Sequence, residues 1–482
     1  MEYTNLAPDL KISRIVTGLW QVADMERTGD LLDMDRSCEA MKAYVDAGYT
    51  SFDLADHYGS AEDIVGAFKR INPLDGNHQM LTKWVPEPAK ITKRDVKEAV
   101  TRSLQRMNTE QLDLLQFHAW TYAHPYWMDA LIWLQDLKNE GLIKHLGVTN
   151  FDTAHMRIAL TSGIDLVSNQ VSYSLLDQRA KQGMKELSEK FGFKLITFGT
   201  LAGGFLNESW LGVEEPNSDR LSTWSLMKYK RFIDQIGGWQ IFQELLQCVH
   251  AIAQKYDVSI ANVVSRYMLD QPEVGGITIG ARLGLSEHME ENLNIFKLTL
   301  TDEDHESINK ALAGHTPIPG DCGDEYRKPP YLTASGDLSH HIEGEDLPYD
   351  VVQGDRQQTR VFSKTVWEDL AGYCRAMRSG KRIYVSGTTA THKNRLIGEG
   401  DPVAQAHFII DKIEGSIKSL GGVLEDTVRT RVYVNSLDDW EPVARAHGER
   451  FHNIQPANTM VEARIIGAGN LVEIEAEAFL NR

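Results

Sequence analysis

Hydrophobic residues recur along residues 13–300 in two alternating patterns, short runs of apolar and β-branched residues and longer amphipathic stretches. The short runs predict strands, and stretches with apolar residues three or four positions apart predict helices. Two of the predicted helices cover 93–108 and 128–142, the second with Leu131, Leu134 and Leu137 at three-residue steps. The predicted strands are SFDLA (51–55), QMLTKWV (79–85), LDLLQFHA (112–119), KHLGVTN (144–150), DLVSNQVSY (165–173), KLITFGT (194–200) and GGITIGA (275–281).

The regular order of strand and helix predicts parallel strands joined by crossover helices. A run of this length indicates an α/β fold, a (β/α)8 TIM barrel over residues 1–315. A doubly wound sheet is the alternative, although no GxGxxG motif follows the first predicted strand.

The pattern stops at residues 316–356, which are rich in Pro, Gly, Asp and Ser and have no sustained apolar period. Such a composition predicts an extended linker. Residues 357–482 form a second predicted unit, with strands at 382–389, 427–435, 459–466 and 471–480 and helices at 401–421 and 438–452. The first of these helices is predicted to begin at Asp401-Pro402 and to end at Gly421-Gly422. Mixed strands and helices in so short a span indicate a smaller α+β domain.

Charge and composition narrow the classes of function. The chain has 50 Lys and Arg against 68 Asp and Glu, a net charge of −18, which argues against nucleic acid and anionic membrane as partners. No apolar run approaches the roughly 20 residues needed to span a bilayer, and no signal peptide is visible at the N-terminus. The four cysteines lie far apart without metal-ligand spacing, so we expect no metal site and a soluble, cytoplasmic protein.

Four residue types that can protonate a carbonyl oxygen fall at or near the ends of three predicted strands. Asp53 and Tyr58 lie in the segment Phe52-Asp53-Leu54-Ala55-Asp56-His57-Tyr58-Gly59, Lys83 in LTKW and His118 in QFHA. The carboxyl ends of barrel strands form the face where barrel enzymes carry their chemistry. A nearby ammonium lowers the pKa of a phenol, and an imidazole can orient a carbonyl oxygen. Each residue alone is more often a solvated edge or a core group, but their combination favours catalysis.

These motifs resemble the aldo-keto reductase superfamily over about residues 8–315, with the DxAxxYG sequence intact. The resemblance implies an Asp-Tyr-Lys-His tetrad that reduces carbonyl compounds with NADPH. By this likeness Tyr58 is the general acid, Lys83 with Asp53 lowers its pKa, and His118 helps to place the carbonyl.

Cofactor motifs are similar as well. GVTNF resembles the family's GVSNF, so Thr149 and Asn150, with Gln170, are implied contacts of the nicotinamide carboxamide. Phe198 stands where the family often has a Tyr that stacks on the nicotinamide, and a Phe keeps the π-face. The resemblance places the remaining NADPH contacts at Gly199, Thr200 and Leu201 (pyrophosphate), at Gly280, Arg282 and Ser286 (2′-phosphate loop) and at Glu291 and Asn292 (adenine).

Arg282 has an equally weighted alternative reading as an exposed loop charge. NADPH is therefore favoured over NADH by this one residue. The substrate pocket depends on loops such as 205–240, whose aromatic residues could line it, although most are expected to pack the loop on the barrel. These aromatic residues are Trp210, Trp224, Tyr229 and Trp239.

Residues 360–482 resemble the YjgF-type, or reactive-intermediate deaminase (Rid), family in the segments RIYVSGTTAT, VRTRVYVNSLDDW and LVEIEAEAF. The resemblance implies a chorismate-mutase-like fold, a homotrimer, and clefts between subunits that hydrolyse imines and enamines. It places Tyr373, Gly387 and Glu473 in the cleft. Asn458 stands where active members have an Arg that pairs with the substrate carboxylate, and an amide cannot make that charged bidentate pair.

Arg375 and Arg464 are candidates for a displaced cleft cation, with surface or intersubunit salt bridges as the alternative. The leading hypothesis is an NADPH-dependent reductase of a small-molecule carbonyl compound, fused to a domain that acts on an imine or enamine precursor. A second makes the C-terminal unit a non-catalytic trimerisation or ligand-binding module. A third makes the barrel an NADPH-binding sensor without turnover, against which the intact tetrad argues.

Overall fold

A β-hairpin closes the amino end of the barrel. The structure, a computed structural model, describes residues 1–27, 33–72, 78–87, 89–284, 288–333, 347–354 and 358–481. Strands β1 (Tyr3–Ala7) and β2 (Leu10–Ser13) pair antiparallel, and Leu6 and Ile12 pack into an apolar cluster with Leu81 and Leu114 of the barrel strands. The hairpin therefore seals the barrel at the end opposite the predicted site.

Eight parallel strands form a closed barrel, which confirms the predicted (β/α)8 fold. The first of them, Ile15–Gly18, is not among the predicted strands, and the other seven agree with the predictions to within two residues at each end. The barrel strands are β3 (Ile15–Gly18), β4 (Ser51–Asp53), β5 (Gln79–Trp84), β6 (Leu112–His118), β7 (Ile143–Thr149), β8 (Leu166–Ser172), β9 (Lys194–Phe198) and β10 (Val274–Gly280).

Amphipathic helices surround the barrel, and Leu131, Leu134 and Leu137 are buried as their spacing predicts. A capping box at Thr92, with Asp95 as its reciprocal partner, starts the predicted helix at 93. The helices of the first 330 residues are α1 (Trp20–Arg27), α2 (Met34–Asp46), α3 (Ala61–Ile71), α4 (Lys93–Arg106), α5 (Tyr126–Asn139), α6 (Thr153–Thr161), α7 (Gly183–Phe191), α8 (Trp224–Gln235), α9 (Trp239–Tyr256), α10 (Ile260–Leu269), α11 (Met289–Leu293), α12 (Asp302–Leu312) and α13 (Asp324–Arg327).

The C-terminal domain is a seven-stranded sheet with helices, in the order β11-β12-β13-β14-β19-β17-β18, which confirms the α+β prediction. Among the described residues of this sheet, β17 and β18 pair parallel and the other neighbours pair antiparallel. Its elements are β11 (Val351–Gln353), β12 (Gln358–Val361), α14 (Val366–Ala371), β13 (Ala376–Ser379), β14 (Arg382–Thr389), the short pair β15 (Thr391–His392) and β16 (Arg395–Leu396), α15 (Pro402–Ser419), β17 (Thr427–Val434), α16 (Trp440–Phe451), β18 (Ala457–Glu462) and β19 (Val472–Phe479).

Helix α15 is buried along almost its whole length. Asp401 caps it, accepting a hydrogen bond from the Ala404 amide at 2.9 Å, and Pro402 occupies its first turn, as the sequence predicts. One side of α15 packs on β14 and β19, and another packs on α6 of the barrel. The two domains thus share this helix as a common wall.

Charged groups join the domains across that wall. His155 of α6 bonds Asp411 of α15 at 2.9 Å, and Arg157 bonds Asp401 at 2.8 Å. Backbone also meets backbone closely, because a Cβ at Gly415 would lie 2.0 Å from the Ala123 carbonyl oxygen. The contact is therefore both polar and tightly packed.

Two negative findings concern only the parts of the chain that the structure describes. No helix there is long and apolar enough to cross a membrane. No group of three or more His, Cys, Asp or Glu side chains in the same ranges is placed to hold a metal ion.

Candidate active site

The four predicted catalytic residues line one cavity of about 560 Å³. Asp53 ends β4, Lys83 is the last residue but one of β5, and His118 ends β6. Tyr58 lies in the loop after β4, which turns at Gly59 with φ of 52°. Barrel closure brings these strand ends together, since neighbouring parallel strands finish at the same rim.

Lys83 and Asp53 form a buried ion pair at the base of the cavity. Lys83 Nζ donates to Asp53 Oδ1 at 2.6 Å and to the Leu54 carbonyl oxygen at 2.8 Å. Gln170 Nε2 donates to the same Asp53 oxygen at 2.7 Å. Burial lowers the pKa of Lys83 below its usual range, although the Asp53 carboxylate opposes this effect. The pair therefore holds a partly desolvated ammonium in one fixed position.

Tyr58 lies over this ammonium. Lys83 Nζ is 4.8 Å from the centre of the Tyr58 ring, and the His57 ring meets that ring edge-on at 4.9 Å. The loop is held because Asp56 Oδ1 accepts from the Val85 amide at 3.2 Å, and Arg106 donates to the Asp56 carbonyl oxygen at 2.9 Å. A cation this close stabilises the phenolate that remains after a proton leaves Tyr58.

His118 is buried in the same wall and is neutral. Burial, reinforced by the positive charge of Arg327, lowers the pKa of His118 well below its usual value. Its Nδ1 lies 3.4 Å from the Thr149 carbonyl oxygen, a contact too long to fix one tautomer. Its Nε2 is buried without a hydrogen-bond partner among the described residues. A carbonyl group in the cavity would supply that partner.

Thr149, Asn150 and Gln170 converge beside the tetrad. Thr149 Oγ1 and the backbone N–H of Asn150 both donate to the backbone carbonyl oxygen of Gln170, at 3.1 and 2.8 Å. Asn150 has a left-handed backbone with φ of 59°, and its Oδ1 is buried with no partner in the described part of the chain. A carboxamide NH2 is a suitable donor for that oxygen, so the site fits a nicotinamide.

The next stretch of the cavity wall follows β9. Phe198, Gly199, Thr200 and Leu201 all line the cavity. Gly199 has φ of 72°, and a Cβ there would lie 2.1 Å from the Tyr229 hydroxyl. A side chain at this position would displace α8, so the close approach of bare backbone requires glycine.

The predicted adenosine end lies at the far side of the same cavity. Gly280, Arg282, Glu291 and Asn292 line it, and Arg282 is exposed, with Nε 3.4 Å from Gln21 Oε1. Ser286 lies outside the described residues. Fifteen of the sixteen barrel residues predicted from the sequence, Arg282 among them, therefore line this one cavity.

Several cavity residues were not predicted from the sequence. Lys228 of α8 donates to the Tyr326 hydroxyl at 3.0 Å and lies 5.4 Å from the centre of the Phe198 ring. Trp20 and Trp120 also line the cavity. These residues are far apart in sequence and carry no motif spacing, so only the fold reveals them. Of the loop aromatics, Tyr229 lines the cavity, whereas Trp210 and Trp239 pack together on Phe205 and Phe242.

In the C-terminal domain, three predicted cleft residues meet. Arg375 is buried and donates to the Ser386 and Gly387 carbonyl oxygens at 2.6 and 2.8 Å. A Cβ at Gly387 would lie 2.1 Å from Glu473 Oε1. Burial raises the pKa of Glu473, and the Arg375 charge opposes this. The Arg375 guanidinium is therefore bound to backbone carbonyl oxygens. Glu473 lies directly against the turn at Gly387.

Asn458 lies elsewhere on the sheet. Its Nδ2 donates to Thr430 Oγ1 at 2.9 Å, and Thr430 Oγ1 lies 2.9 Å from His447 Nε2. Asn458 pairs with Thr430 while Glu473 pairs with Tyr433, and β17 separates their strands. Three residues along the strand and two strand spacings put them more than about 10 Å apart. One chain therefore does not assemble the cleft.

The last two cleft candidates lie outside both groups. Tyr373 is half-buried in the turn after α14, where its amide donates to the Glu368 carbonyl oxygen at 3.1 Å. Arg464 is exposed. The predicted strand 459–466 ends at Glu462, so Arg464 is not on a strand as the pattern suggested. The strand stops at Glu462 because its partner strand β17 ends at Val434, the residue paired with Glu462.

A closed barrel with Asp, Tyr, Lys and His side chains around a nucleotide-sized cavity is the architecture of a barrel oxidoreductase. Comparison with known proteins agrees with this class. Residues 14–313 match the model described as the aldo/keto reductase family, and residues 365–480 match the one described as endoribonuclease L-PSP. The chain belongs to the aldo/keto reductase family.

Individual relatives divide between the two domains' families. Aldo-keto reductase YhdN of Bacillus subtilis is 27% identical over 353 residues, 68% of this chain and 98% of the relative. The glycerol dehydrogenase structure from Gluconobacter oxydans is similar in fold, with a TM-score of 0.52 and 23% identity over 64% of this chain and 94% of its own. A Mycobacterium tuberculosis structure of the YjgF/YER057c/UK114 family is 37% identical over 26% of this chain and 99% of its own, with a TM-score of 0.24. The two family models confirm both family resemblances.

Proposed function

We propose that the barrel reduces an aldehyde or ketone to an alcohol with NADPH, with Tyr58 as the proton donor. The observation that carries this proposal is the shared cavity, in which the Asp53–Lys83 pair, Tyr58 and His118 lie beside the residues suited to a nicotinamide. When bound, NADPH would supply the hydride for the carbonyl carbon. Tyr58 gives its hydroxyl proton to the carbonyl oxygen, and the Lys83 ammonium stabilises the phenolate left behind.

His118 lines the cavity, and in its neutral Nε2–H tautomer it can donate to the same oxygen. Asn150 and Gln170 would hold the carboxamide end of the cofactor, and Phe198 would offer its ring face to the nicotinamide. Arg282, at the exposed end, favours the 2′-phosphate of NADPH over the free hydroxyl of NADH.

The test is NADPH oxidation by the purified full-length chain against a panel of aldehydes and ketones. Tyr58→Phe should lower kcat about 10³-fold and leave the Kd of NADPH within about twofold, because only the proton donor is lost. Tyr3→Phe, which removes an exposed hydroxyl at the hairpin, is the matched control. Full activity in Tyr58→Phe would disprove the assignment, and NADPH binding without turnover of any carbonyl would favour a sensor.

For the C-terminal domain, two roles stand beside each other, assembly as a homotrimer and hydrolysis of an imine or enamine precursor. The geometry supports assembly more strongly. Asn458 and Glu473 lie on separate parts of the sheet, and Val366, Trp367 and Leu370 of α14 expose 72%, 54% and 77% of their surfaces. An apolar patch of this kind suits contact with a second copy.

Light scattering of the full chain tests assembly directly. A mass near three chains supports the trimer, and a monomer at every concentration contradicts it. Ammonia release from amino-acid-derived imines tests hydrolysis, with Glu473→Gln as the variant that removes the carboxylate. Ammonia release above the spontaneous rate that this variant abolishes would favour the catalytic role.

A further inference from the structure

The residues that follow the barrel return to the rim of the reductase site. We call residues 320–328, which include α13, the strap. Arg179 donates to the Asp321 carbonyl oxygen at 2.9 Å and forms an ion pair with Glu325 at 2.8 Å. Asp321 Oδ2 accepts from the Thr153 amide at 2.8 Å. The strap is therefore fastened to the barrel at both α6 and the loop before α7.

The strap holds two backbone carbonyls that flank the site. Arg327 Nη1 donates to the Asn150 carbonyl oxygen at 2.7 Å, and Arg327 Nε donates to the Ala119 carbonyl oxygen at 3.0 Å. Ala119 directly follows His118, and Asn150 is the residue suited to the nicotinamide. A single planar guanidinium thus ties the end of β6 to the end of β7.

Gly323 shows how closely the strap approaches. A Cβ at Gly323 would lie 1.9 Å from the Asn150 carbonyl oxygen, and its φ is 77°. Asn150 itself has the left-handed backbone that its side-chain position requires. Such a conformation persists only where surrounding contacts hold it. The strap supplies those contacts on the carbonyl side.

Arg327 also connects the rim to the domain wall. Its guanidinium lies 4.4 Å from the centre of the Tyr122 ring, and His155 stacks on that ring at 3.4 Å with an angle of 6°. Because the imidazole covers one face at this distance, the guanidinium occupies the other. Tyr122 is thus clamped between a strap residue and a residue of α6.

His155 is held in turn by both domains. Its Nδ1 lies 2.6 Å from Asp152 Oδ1 and its Nε2 lies 2.9 Å from Asp411 Oδ2. Arg450 of α16 donates to Asp411 Oδ1 at 2.6 Å. His155 and Asp411 are 4% and 1% exposed, so these are desolvated, directional contacts.

We propose that Arg327 is a positioning residue of the reductase site and that Asp411 of the C-terminal domain acts on that site through His155, Tyr122 and Arg327. The proposal rests on the proposed reductase function. It makes the C-terminal domain part of the barrel's catalytic geometry, in addition to any role of its own.

The first test replaces Arg327 in the full chain. Arg327→Met should lower kcat at least about 10-fold and raise the KM for NADPH, because small displacements of catalytic groups have effects of this size. Arg327→Lys keeps the charge over Tyr122 without the two-carbonyl fork, so it should recover part of kcat. Hydrogen–deuterium exchange should become faster in Arg327→Met at amides of 147–152. Unchanged exchange and unchanged kinetics would overturn the proposal.

The second test separates the relay from simple loosening of the domain wall. Asp411→Asn should change kcat and exchange at 147–152 in the same direction as Arg327→Met, by about threefold. Arg157→Gln removes the neighbouring ion pair with Asp401, which does not touch Tyr122, and should leave both readouts unchanged. Equal effects of the two variants would refute the relay. If the wild-type chain reduces no carbonyl, the reductase function fails, while the exchange data still decide the role of the strap.

Discussion

The barrel and the C-terminal domain treat their candidate site residues in opposite ways. In the barrel, residues from Asp53 to Asn292 meet around one cavity of a single chain. In the C-terminal sheet, Glu473 and Asn458 lie on strands separated by β17. A closed barrel has one rim on which all strand ends converge, whereas an open sheet leaves its residues spread over a face. The C-terminal sheet therefore keeps Glu473 and Asn458 apart within one chain.

Removing the buried ammonium of Lys83 should have the largest effect on the barrel site. Lys83→Met should lower kcat by about 10²–10³-fold, because the charge that stabilises the Tyr58 phenolate is lost. It should also cost about 3–5 kcal/mol of unfolding free energy, since Asp53 is left buried without its cation. The double variant Lys83→Met, Asp53→Asn should regain much of that stability without regaining activity. Steady-state kinetics and denaturant unfolding measure the two effects, and recovery of activity in the double variant would contradict the role of Lys83.

The exposed end of the cavity should respond less. Arg282→Gln should raise the KM for NADPH about 10-fold and leave that for NADH unchanged, since a charged contact to the 2′-phosphate contributes about 1.5–3 kcal/mol. Arg36→Gln is a control, because Arg36 donates to the Gly284 carbonyl oxygen in the same loop and does not line the cavity. Equal KM changes for both cofactors would show that Arg282 only shapes the loop.

A gain-of-function variant tests whether the C-terminal domain can hydrolyse an imine. Asn458→Arg restores a cation that can pair bidentately with a carboxylate. Asn458 is exposed on β18, so the longer side chain fits without a change in the core. Ammonia release from 2-imino acids should rise about 10-fold over wild type. Glu473→Gln in the same background should abolish the gain, and an increase that survives this second change would place the chemistry elsewhere.

The smallest expected effect is on stability at the wall between the domains. Burial alone would lower the pKa of His155, but the Asp152 and Asp411 carboxylates outweigh it and raise that pKa. A raised pKa in the folded state gives stability that is complete below about pH 6.5 and is lost as pH rises through the folded pKa. The free energy of unfolding should therefore fall as the pH rises above about 6.5, by at most about 1.4 kcal/mol per pH unit.

His155→Gln should remove this slope, and His452→Gln, at an exposed position, should leave it intact. Burial and the Asp152 charge raise the pKa of Asp321 to about 6, so its contribution has the same sign but is lost at lower pH. Denaturant unfolding across the pH range measures both variants. Identical slopes in wild type and His155→Gln would exclude the buried imidazolium.

The sequence predicted best those features that depend on residues close together in the chain. Leu131, Leu134 and Leu137 predicted a buried helix face, and Asp401 with Pro402 predicted the start of α15. Strand β3 was not predicted, although the still shorter strand β4 was, so length alone does not explain the omission. The tetrad followed from motifs near strand ends. Lys228, Tyr326 and Arg327 did not, because their neighbours are set by the path of the chain around the rim.

Strand β18 shows a different limit of sequence patterns. The alternation in TMVEARII continues to residue 466, yet pairing stops at Glu462, where the partner strand β17 has reached Val434. Ladder length depends on both strands, and a pattern read from one strand cannot show where the other ends.

Because α15 is buried between the two domains, non-covalent contacts hold the domains together independently of the peptide chain that links them. If the peptide backbone were cut between the domains, the two pieces would still share the His155–Asp411 and Arg157–Asp401 contacts and the packing of Gly415 on Ala123. The cleaved protein would then behave as a tight complex of two subunits. A covalent connection between them adds equal numbers of the two pieces and a high effective concentration of each for the other.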